Sequence, residues 1–94
     1  MQIVNMNTLT DGQKTQAAQI LTDSLPLGWA TLKEAEAEIV KRLIPENTLL
    51  AAVEEDAVLG WVGMLPLYSG KVMELHPLAV RADTRGKGVG KALV

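Results

Sequence analysis

The residues with the clearest capacity for chemistry lie near the end of this sequence, in the stretch RGKGVGK at positions 85–91. Gly86, Gly88 and Gly90 alternate there with basic and apolar residues. Glycine reaches positive φ readily and has no Cβ to hold a ligand away from the backbone. A glycine-rich turn between an apolar strand and a helix start commonly directs backbone N–H groups at a phosphate. The stretch therefore predicts a phosphate-binding turn.

Two familiar phosphate-binding loops do not fit the spacing. A P-loop has four residues between its first Gly and the Gly-Lys pair, followed by Ser or Thr. Here three residues separate Gly86 from Gly90, and Ala92 follows Lys91. The dinucleotide fingerprint is G-x-G-x-x-G with an acidic partner further on, whereas this stretch is G-x-G-x-G and that partner would lie beyond its end.

The stretch does resemble the coenzyme A loop of the GNAT superfamily of N-acetyltransferases. That pattern is Arg or Gln, two residues, Gly, one residue, then Gly or Ala, and residues 85–90 match it in full. Residues 74–80 (ELHPLAV), 50–63 and 66–68 are similar to aminoglycoside 6′-N-acetyltransferases. The resemblance covers 49–94 most clearly and implies acetyl-CoA as cofactor.

The elements that must position this loop are predicted from local patterns. A short strand at 2–6 precedes a helix over about 12–24, capped by Thr10 or Asp11. A T-x-x-E capping box at Thr31 and Glu34 starts a second helix that ends near Leu43, since Pro45 follows. Its apolar stripe comprises Leu32, Ala35, Ile39, Val40 and Leu43, and Glu36 is the one charged residue in the same pattern.

Three strands follow. Residues 48–65 predict a β-hairpin with a polar turn at 54–56, ended by Pro66, and 72–80 predict the next strand. Pro77 inside that strand implies a sheet edge or a bulge, because proline donates no ladder hydrogen bond. After the loop, Val89, Ala92 and Leu93 predict one buried helix face.

The fold class predicted is α+β, with β-α-α-β-β-β-α order and a mainly antiparallel sheet. By the resemblance, residues 1–94 form the N-terminal portion of a single GNAT domain, truncated after the coenzyme A loop. The remaining strand, helix and hairpin of that fold would follow. A chain of this size is expected to be marginal alone or to borrow surface from a partner, and we expect a homodimer.

The resemblance also assigns backbone contacts with the cofactor. In the family, the strand matching 72–80 splays from its neighbour, and the pantetheine arm takes the vacant hydrogen bonds. Arg85 would shape the loop and Lys91 would reach a phosphate. The cofactor-binding residues implied are Leu78, Ala79, Val80, Arg85, Gly86, Lys87, Gly88, Val89, Gly90 and Lys91.

Two residues are candidates for catalysis. Glu74 is acidic within an apolar strand, and a carboxylate at the matching position of aminoglycoside acetyltransferases lies at the acceptor site. His76 is the only histidine, with an ordinary pKa of about 6.5 suited to a base. The two share a strand face if the pairing is regular. A solvent-facing Glu74 and a structural His76 remain alternatives.

The acceptor site would also involve aromatic residues. Trp29 falls in the loop between the two predicted helices, which covers substrate in related folds, and Tyr68 would line the cleft. Trp61 is a further candidate for its border. For each tryptophan, packing in the core or on the surface is the more common role, and packing on its loop is the alternative for Tyr68.

Composition narrows the function classes. The 94 residues contain no Cys, which excludes a thiolate nucleophile and a Cys-based metal site and favours the cytoplasm; no metal is predicted. Residues 1–80 carry five Lys/Arg and ten Asp/Glu, whereas 81–94 carry four and one. An acidic body with a basic tail suits an anionic cofactor and a cationic amine substrate, and argues against a nucleic-acid binder. There is no secretory signal or 18-residue apolar run, so no membrane association is expected.

The function predicted is acetyl transfer from acetyl-CoA to a primary amine. A non-catalytic coenzyme A-binding or dimerising module is the alternative, and a generic phosphate binder is a third.

Overall fold

A four-stranded antiparallel sheet forms the centre of the computed structural model, with strand order β1-β2-β3-β4. The structure describes residues 1–67 and 72–94, and for 65–67 and 72–76 it describes the backbone alone. The elements are β1 (Gln2–Asn5), α1 (Asp11–Ser24), α2 (Leu32–Arg42), β2 (Thr48–Glu54), β3 (Ala57–Leu67), β4 (Val72–Val80) and α3 (Val89–Leu93), with 3₁₀ turns at Met6–Thr8 and Ala82–Thr84. The predicted fold class and element order are confirmed.

Helix α1 begins at a reciprocal capping box. The Thr10 hydroxyl accepts the Gln13 N–H at 3.1 Å, and the Gln13 side chain accepts the Thr10 N–H at 2.9 Å. Both bonds satisfy donors that a helix start leaves without intrahelical partners. The buried face of α1 is Ala17, Ala18, Ile20 and Leu21.

Helix α2 is less buried than its sequence predicts. Thr31 accepts the Glu34 N–H at 3.2 Å, but the Glu34 carboxylate accepts from Ala30 rather than from Thr31, so only half of the capping box forms. Ile39 is buried, whereas Val40 is 72% exposed. The reason is that α2 packs chiefly against α1 and not across the sheet. A helix with one helical neighbour buries a narrow stripe.

The sheet separates two apolar clusters. Trp61 is fully buried beneath α1, and its Nε1–H donates to the Ala17 carbonyl at 2.9 Å. On the opposite face, Val62 packs with Val89 and Leu93 of α3. Ala92 is exposed, contrary to the prediction, because the five-residue α3 presents only its i and i+4 positions to the sheet.

Strand β3 passes through Pro66 and ends at Leu67, so the strand does not stop at Pro66 as predicted, although its hairpin pairing with β2 ends before that residue. Strand β2 pairs with β3 only as far as Met64. Beyond that point β3 has β4 alone as a partner. A proline is tolerated on the unpaired side of a strand because no ladder bond is lost there.

The prediction that Pro77 marks an edge or a bulge is confirmed in both respects. Among the described strands, β4 is one edge of the sheet. Val62 pairs with Leu78 and Met64 with Leu75, so His76 and Pro77 together oppose a single residue of β3. This two-against-one count is a β-bulge.

A second irregularity, at Leu59 in β3, anchors the segment that follows β4. The Leu59 carbonyl accepts the Arg81 N–H at 2.8 Å, and the buried Thr84 hydroxyl lies 3.4 Å from the same oxygen. The neighbouring Gly60 allows a close approach. A Cβ on Gly60 would lie 2.9 Å from the Ala79 carbonyl oxygen and 3.1 Å from Val89 Cγ1.

Gly60→Ala is therefore expected to lower the free energy of unfolding by about 1–3 kcal/mol, the usual cost of overpacking a close contact. Gly12→Ala is the matched control, since its Cβ would meet only Thr10 Oγ1 at 3.9 Å within a helix. The control should be neutral or stabilising, because alanine favours helix over glycine. Urea unfolding followed by circular dichroism measures both, and equal stability of the two variants would contradict this account.

Candidate functional site

The predicted phosphate-binding turn joins the 3₁₀ turn Ala82–Thr84 to α3. Gly86 and Gly88 have φ values of +84° and +83°, while Lys87 between them does not have positive φ. Turns that contain left-handed residues can direct successive N–H groups toward one side. Gly88 is also the N-cap of α3. The sequence prediction of glycines that reach positive φ is confirmed at these two positions.

The turn keeps several of its N–H groups free. Within the described residues, the Lys87 N–H donates to the Thr84 carbonyl at 3.2 Å and the Ala92 N–H to the Gly88 carbonyl at 2.9 Å. In the same part of the chain, the N–H groups of Gly86, Gly88, Val89 and Gly90 have no protein acceptor. Unsatisfied donors at a helix start attract anions.

The space beside the glycines is open. A Cβ on either Gly86 or Gly88 would meet nothing within 4 Å, so a ligand can approach this backbone directly. Gly90 differs, since its Cβ would make an ordinary 3.7 Å contact with Val80 Cγ2 and its φ is not positive. This explains why the loop pattern allows Ala at the last position. The groove has a volume of about 330 Å³ and is lined by Val80, Thr84, Arg85, Gly86, Gly88, Val89, Gly90 and Lys91.

The positive charges around the turn are not equivalent. Arg81 forms a two-pronged ion pair with Asp83, at 2.6 Å and 3.0 Å. The hydrogen bond from Arg81 holds the pKa of the Asp83 carboxyl below its usual range, so the pair stays ionised at neutral pH. Lys87 and Lys91 are exposed and, within the described residues, have no ion-pair partner. Lys91 lines the groove and is available to an anion there, whereas Lys87 lines a neighbouring hollow with Arg81 and Asp83.

Arg85 is directed toward the protein. Its Nε–H donates to the Val80 carbonyl at 3.3 Å and its Nη2–H to the Ser24 hydroxyl at 3.0 Å. The Ser24 hydroxyl in turn donates to the Val80 carbonyl at 3.3 Å. The sequence predicts that Arg85 shapes the loop, but it does not identify Ser24, which is 61 residues away along the chain. No local pattern signals this contact.

The predicted pantetheine contacts fall on the end of β4. Leu78 is 42% exposed on the α3 side of the sheet, whereas Ala79 is buried. The Val80 carbonyl, expected to serve the cofactor, already accepts bonds from Ser24 and Arg85. The residues on the turn thus fit a diphosphate more directly than those on the strand fit the pantetheine arm.

Among the residues that the structure describes, the candidate acceptor residues do not come together in one site. Trp29 is half-buried against the α1 side of the core, and the loop from Ser24 to Trp29 forms an apolar surface with Leu27 fully exposed. Trp61 is a core residue and does not border a cleft. Tyr68 lies outside the described residues, and Glu74 is described by its backbone, in register with Leu65. The regular pairing of β4 with β3 is interrupted after Leu75. Glu74 and His76 are expected to share a strand face only if this pairing is regular, and that condition is not met at His76.

Comparison with known proteins is consistent with this geometry. An aminoglycoside 6′-N-acetyltransferase complexed with coenzyme A superposes with a TM-score of 0.89 at 28% identity, over 99% of this chain and 51% of that one. The aminoglycoside 6′-N-acetyltransferase from Enterococcus faecium gives 0.85 at 28% identity, again over 99% and 51%. The chain therefore spans about half the length of these two proteins. An acetyltransferase from Trypanosoma brucei shares the fold, with a TM-score of 0.68 at 18% identity over 98% of this chain and 68% of that one.

Sequence comparisons point to the same family. Curated protein sequences give no match to the chain. The model of the acetyltransferase (GNAT) family matches residues 14–94. Enzymes of this family take the acetyl group from acetyl-CoA, which is the cofactor that the sequence predicts. On the strength of the family match and the superpositions, this chain belongs to the GNAT family of acetyltransferases.

Proposed function

We propose that this chain is an acetyl-CoA-dependent N-acetyltransferase, or the cofactor-binding N-terminal half of one, acting on a primary amine. The observation that carries the proposal is the turn at 86–90, with two left-handed glycines, free N–H groups and open space beside them. The likeness to two aminoglycoside acetyltransferases supports an aminoglycoside as the acceptor.

The turn would bind the cofactor through its pyrophosphate. Backbone N–H groups of Gly86, Gly88, Val89 and Gly90 would donate to the phosphate oxygens, and Lys87 and Lys91 would add charge. When bound, acetyl-CoA supplies an acetyl group as a thioester. Leu78 and Ala79 would place that arm along β4, and Val80 would do so through its N–H, since its carbonyl is engaged.

The acceptor side requires a group that holds an ammonium and takes its proton, because only a neutral amine attacks a carbonyl. We propose Glu74 for this role, directly or through water, with His76 as the second candidate base. Trp29 and Tyr68 would border the amine. The developing negative charge on the carbonyl oxygen needs a hydrogen-bond donor. When the carbon–sulfur bond breaks, the departing coenzyme A thiolate needs a proton, which the ammonium proton taken up by the base can balance.

The alternative function is a non-catalytic module that binds coenzyme A or dimerises and lacks a complete active site. The free N–H groups of the turn support cofactor binding in either case. Only the formation of an acetylated product distinguishes an enzyme from a binding module. Three statements stay predictions: that residues 1–94 are the N-terminal portion of a single domain, that the protein is a homodimer, and that it is cytoplasmic.

Isothermal calorimetry with acetyl-CoA, ATP and NAD tests cofactor choice. We expect acetyl-CoA alone to bind tightly, because only it combines a diphosphate with an arm that extends along β4. Equal binding of all three would indicate a generic phosphate binder instead. Mass spectrometry of an aminoglycoside bearing a 6′-amine, incubated with the chain and acetyl-CoA, then distinguishes an enzyme from a binding module.

Gly88→Asp and Gly88→Asn form a matched pair that isolates charge. Both side chains tolerate the left-handed backbone better than other residues do, and they are almost the same size. We expect the Asp variant to bind acetyl-CoA about tenfold more weakly than the Asn variant, since a carboxylate would face a pyrophosphate. Calorimetry measures both affinities. Identical affinities would show that the anion does not lie at Gly88.

Glu74→Gln should slow acetyl transfer by about 10²-fold or more, the usual contribution of a general base, and leave acetyl-CoA affinity unchanged. His76→Gln on the same strand is the comparison that assigns the base. Release of the free thiol of coenzyme A measures turnover, and calorimetry measures affinity. Normal turnover in the Glu74 variant would remove this residue from the mechanism.

A further inference from the structure

The end of α1 is joined to the phosphate-binding turn by three groups. The Val80 carbonyl accepts from both the Ser24 hydroxyl and Arg85 Nε–H, and Arg85 Nη2–H donates to the Ser24 oxygen. Each group therefore contacts the other two. A carbonyl oxygen can accept two hydrogen bonds, and a hydroxyl can donate one and accept another at once. All three hydrogen bonds can therefore form at the same time.

Helix α1 is a firm support for this contact. The Gln16 side chain accepts the Val58 N–H at 2.9 Å and donates to the Asp56 carbonyl at 3.1 Å. At the next residue of the helix, the Ala17 carbonyl accepts the Trp61 indole N–H. These bonds fix α1 to the β2–β3 hairpin, so Ser24 occupies a defined place relative to the sheet.

The loop that follows α1 is the one proposed to border the acceptor. Ser24 is the last residue of α1, and the next five residues form the apolar surface that ends at Trp29. The contact thus joins the proposed acceptor loop to the proposed cofactor turn.

We propose that Ser24 and Arg85 are positioning residues for the cofactor. They hold the end of β4 and the start of the turn against α1, and Arg85 acts through this geometry and not as a ligand of phosphate. The proposal rests on the proposed binding of coenzyme A at the turn. It extends that function to a residue on α1 that the loop pattern does not contain.

Substitutions at Arg85 separate geometry from charge. Arg85→Gln loses the charge but keeps a donor that reaches the Val80 carbonyl, whereas Arg85→Lys keeps the charge and loses the planar fork. A positioning role predicts tighter coenzyme A binding by the Gln variant than by the Lys variant. A phosphate ligand predicts the reverse order.

Ser24 provides the second arm of the test. Ser24→Ala should weaken coenzyme A binding by roughly threefold to tenfold, as the loss of a hydrogen bond does, and Ser24→Thr should recover most of it. Thr15→Ala is the matched control, because its hydroxyl donates only to the Asp11 carbonyl of its own helix. Calorimetry with coenzyme A is the measurement for all variants.

The outcomes divide as follows. Weaker binding by Ser24→Ala, recovery in Ser24→Thr, unchanged binding by Thr15→Ala, and the Gln-over-Lys order at Arg85 support the proposal. Unchanged binding by Ser24→Ala overturns it, as does an Arg85→Lys variant that binds as tightly as Arg85→Gln or more so. Failure of the unsubstituted chain to bind coenzyme A counts against the proposed function instead.

If the unsubstituted chain does not bind coenzyme A, a measurement without ligand tests whether Ser24 has a positioning role. The Arg81 and Lys87 N–H groups are hydrogen-bonded at the two ends of residues 81–87. The rate at which these two amides exchange hydrogen with solvent therefore reports how well ordered these residues are. Ser24→Ala should speed the exchange of both amides, and Thr15→Ala should not. Equal exchange in the two variants overturns the proposal.

Discussion

The close contact of β3 with the segment after β4 is the constraint on which the site depends. The Leu59 carbonyl holds the Arg81 N–H, and Gly60 leaves no side chain between β3 and Val89. Together they place the start of α3 directly on the sheet. Gly88 is the residue before α3, so the position of the phosphate-binding turn follows from this contact. A side chain at residue 60 would act on the turn without touching any ligand.

Much of this arrangement can be predicted from the sequence because local chemistry determines it. Only glycine adopts φ near +84° without strain, so the pattern at 86–90 already limits the conformations available. The Thr10 cap is likewise local. Pro77 implies its bulge because a missing N–H breaks any ladder. In each case one residue type imposes the structure.

The misjudged features depend on neighbours that local patterns do not reveal. Val40 fits an apolar stripe, but it is exposed because α2 meets α1 and not the sheet. Pro66 would end a strand with partners on both sides, yet β2 stops pairing at Met64 and leaves one side free. The role of Ser24 depends on a contact across 61 residues and has no sequence signature. These are properties of register and tertiary packing.

The turn offers an anion two kinds of attraction, and the structure assigns them to different groups. Asp83 neutralises Arg81, and Arg85 is bonded to Val80 and Ser24. Within the described residues, this leaves Lys87 and Lys91 as the cations of the turn whose side chains have no hydrogen-bond or ion-pair partner. Exposed charges are screened over about 8 Å at physiological ionic strength and favour any anion alike. Backbone N–H groups held by the fold have fixed spacing, and they select by shape. The lysines would therefore raise affinity for anions in general, whereas preference for a diphosphate would arise from the glycines and from whatever holds them in place.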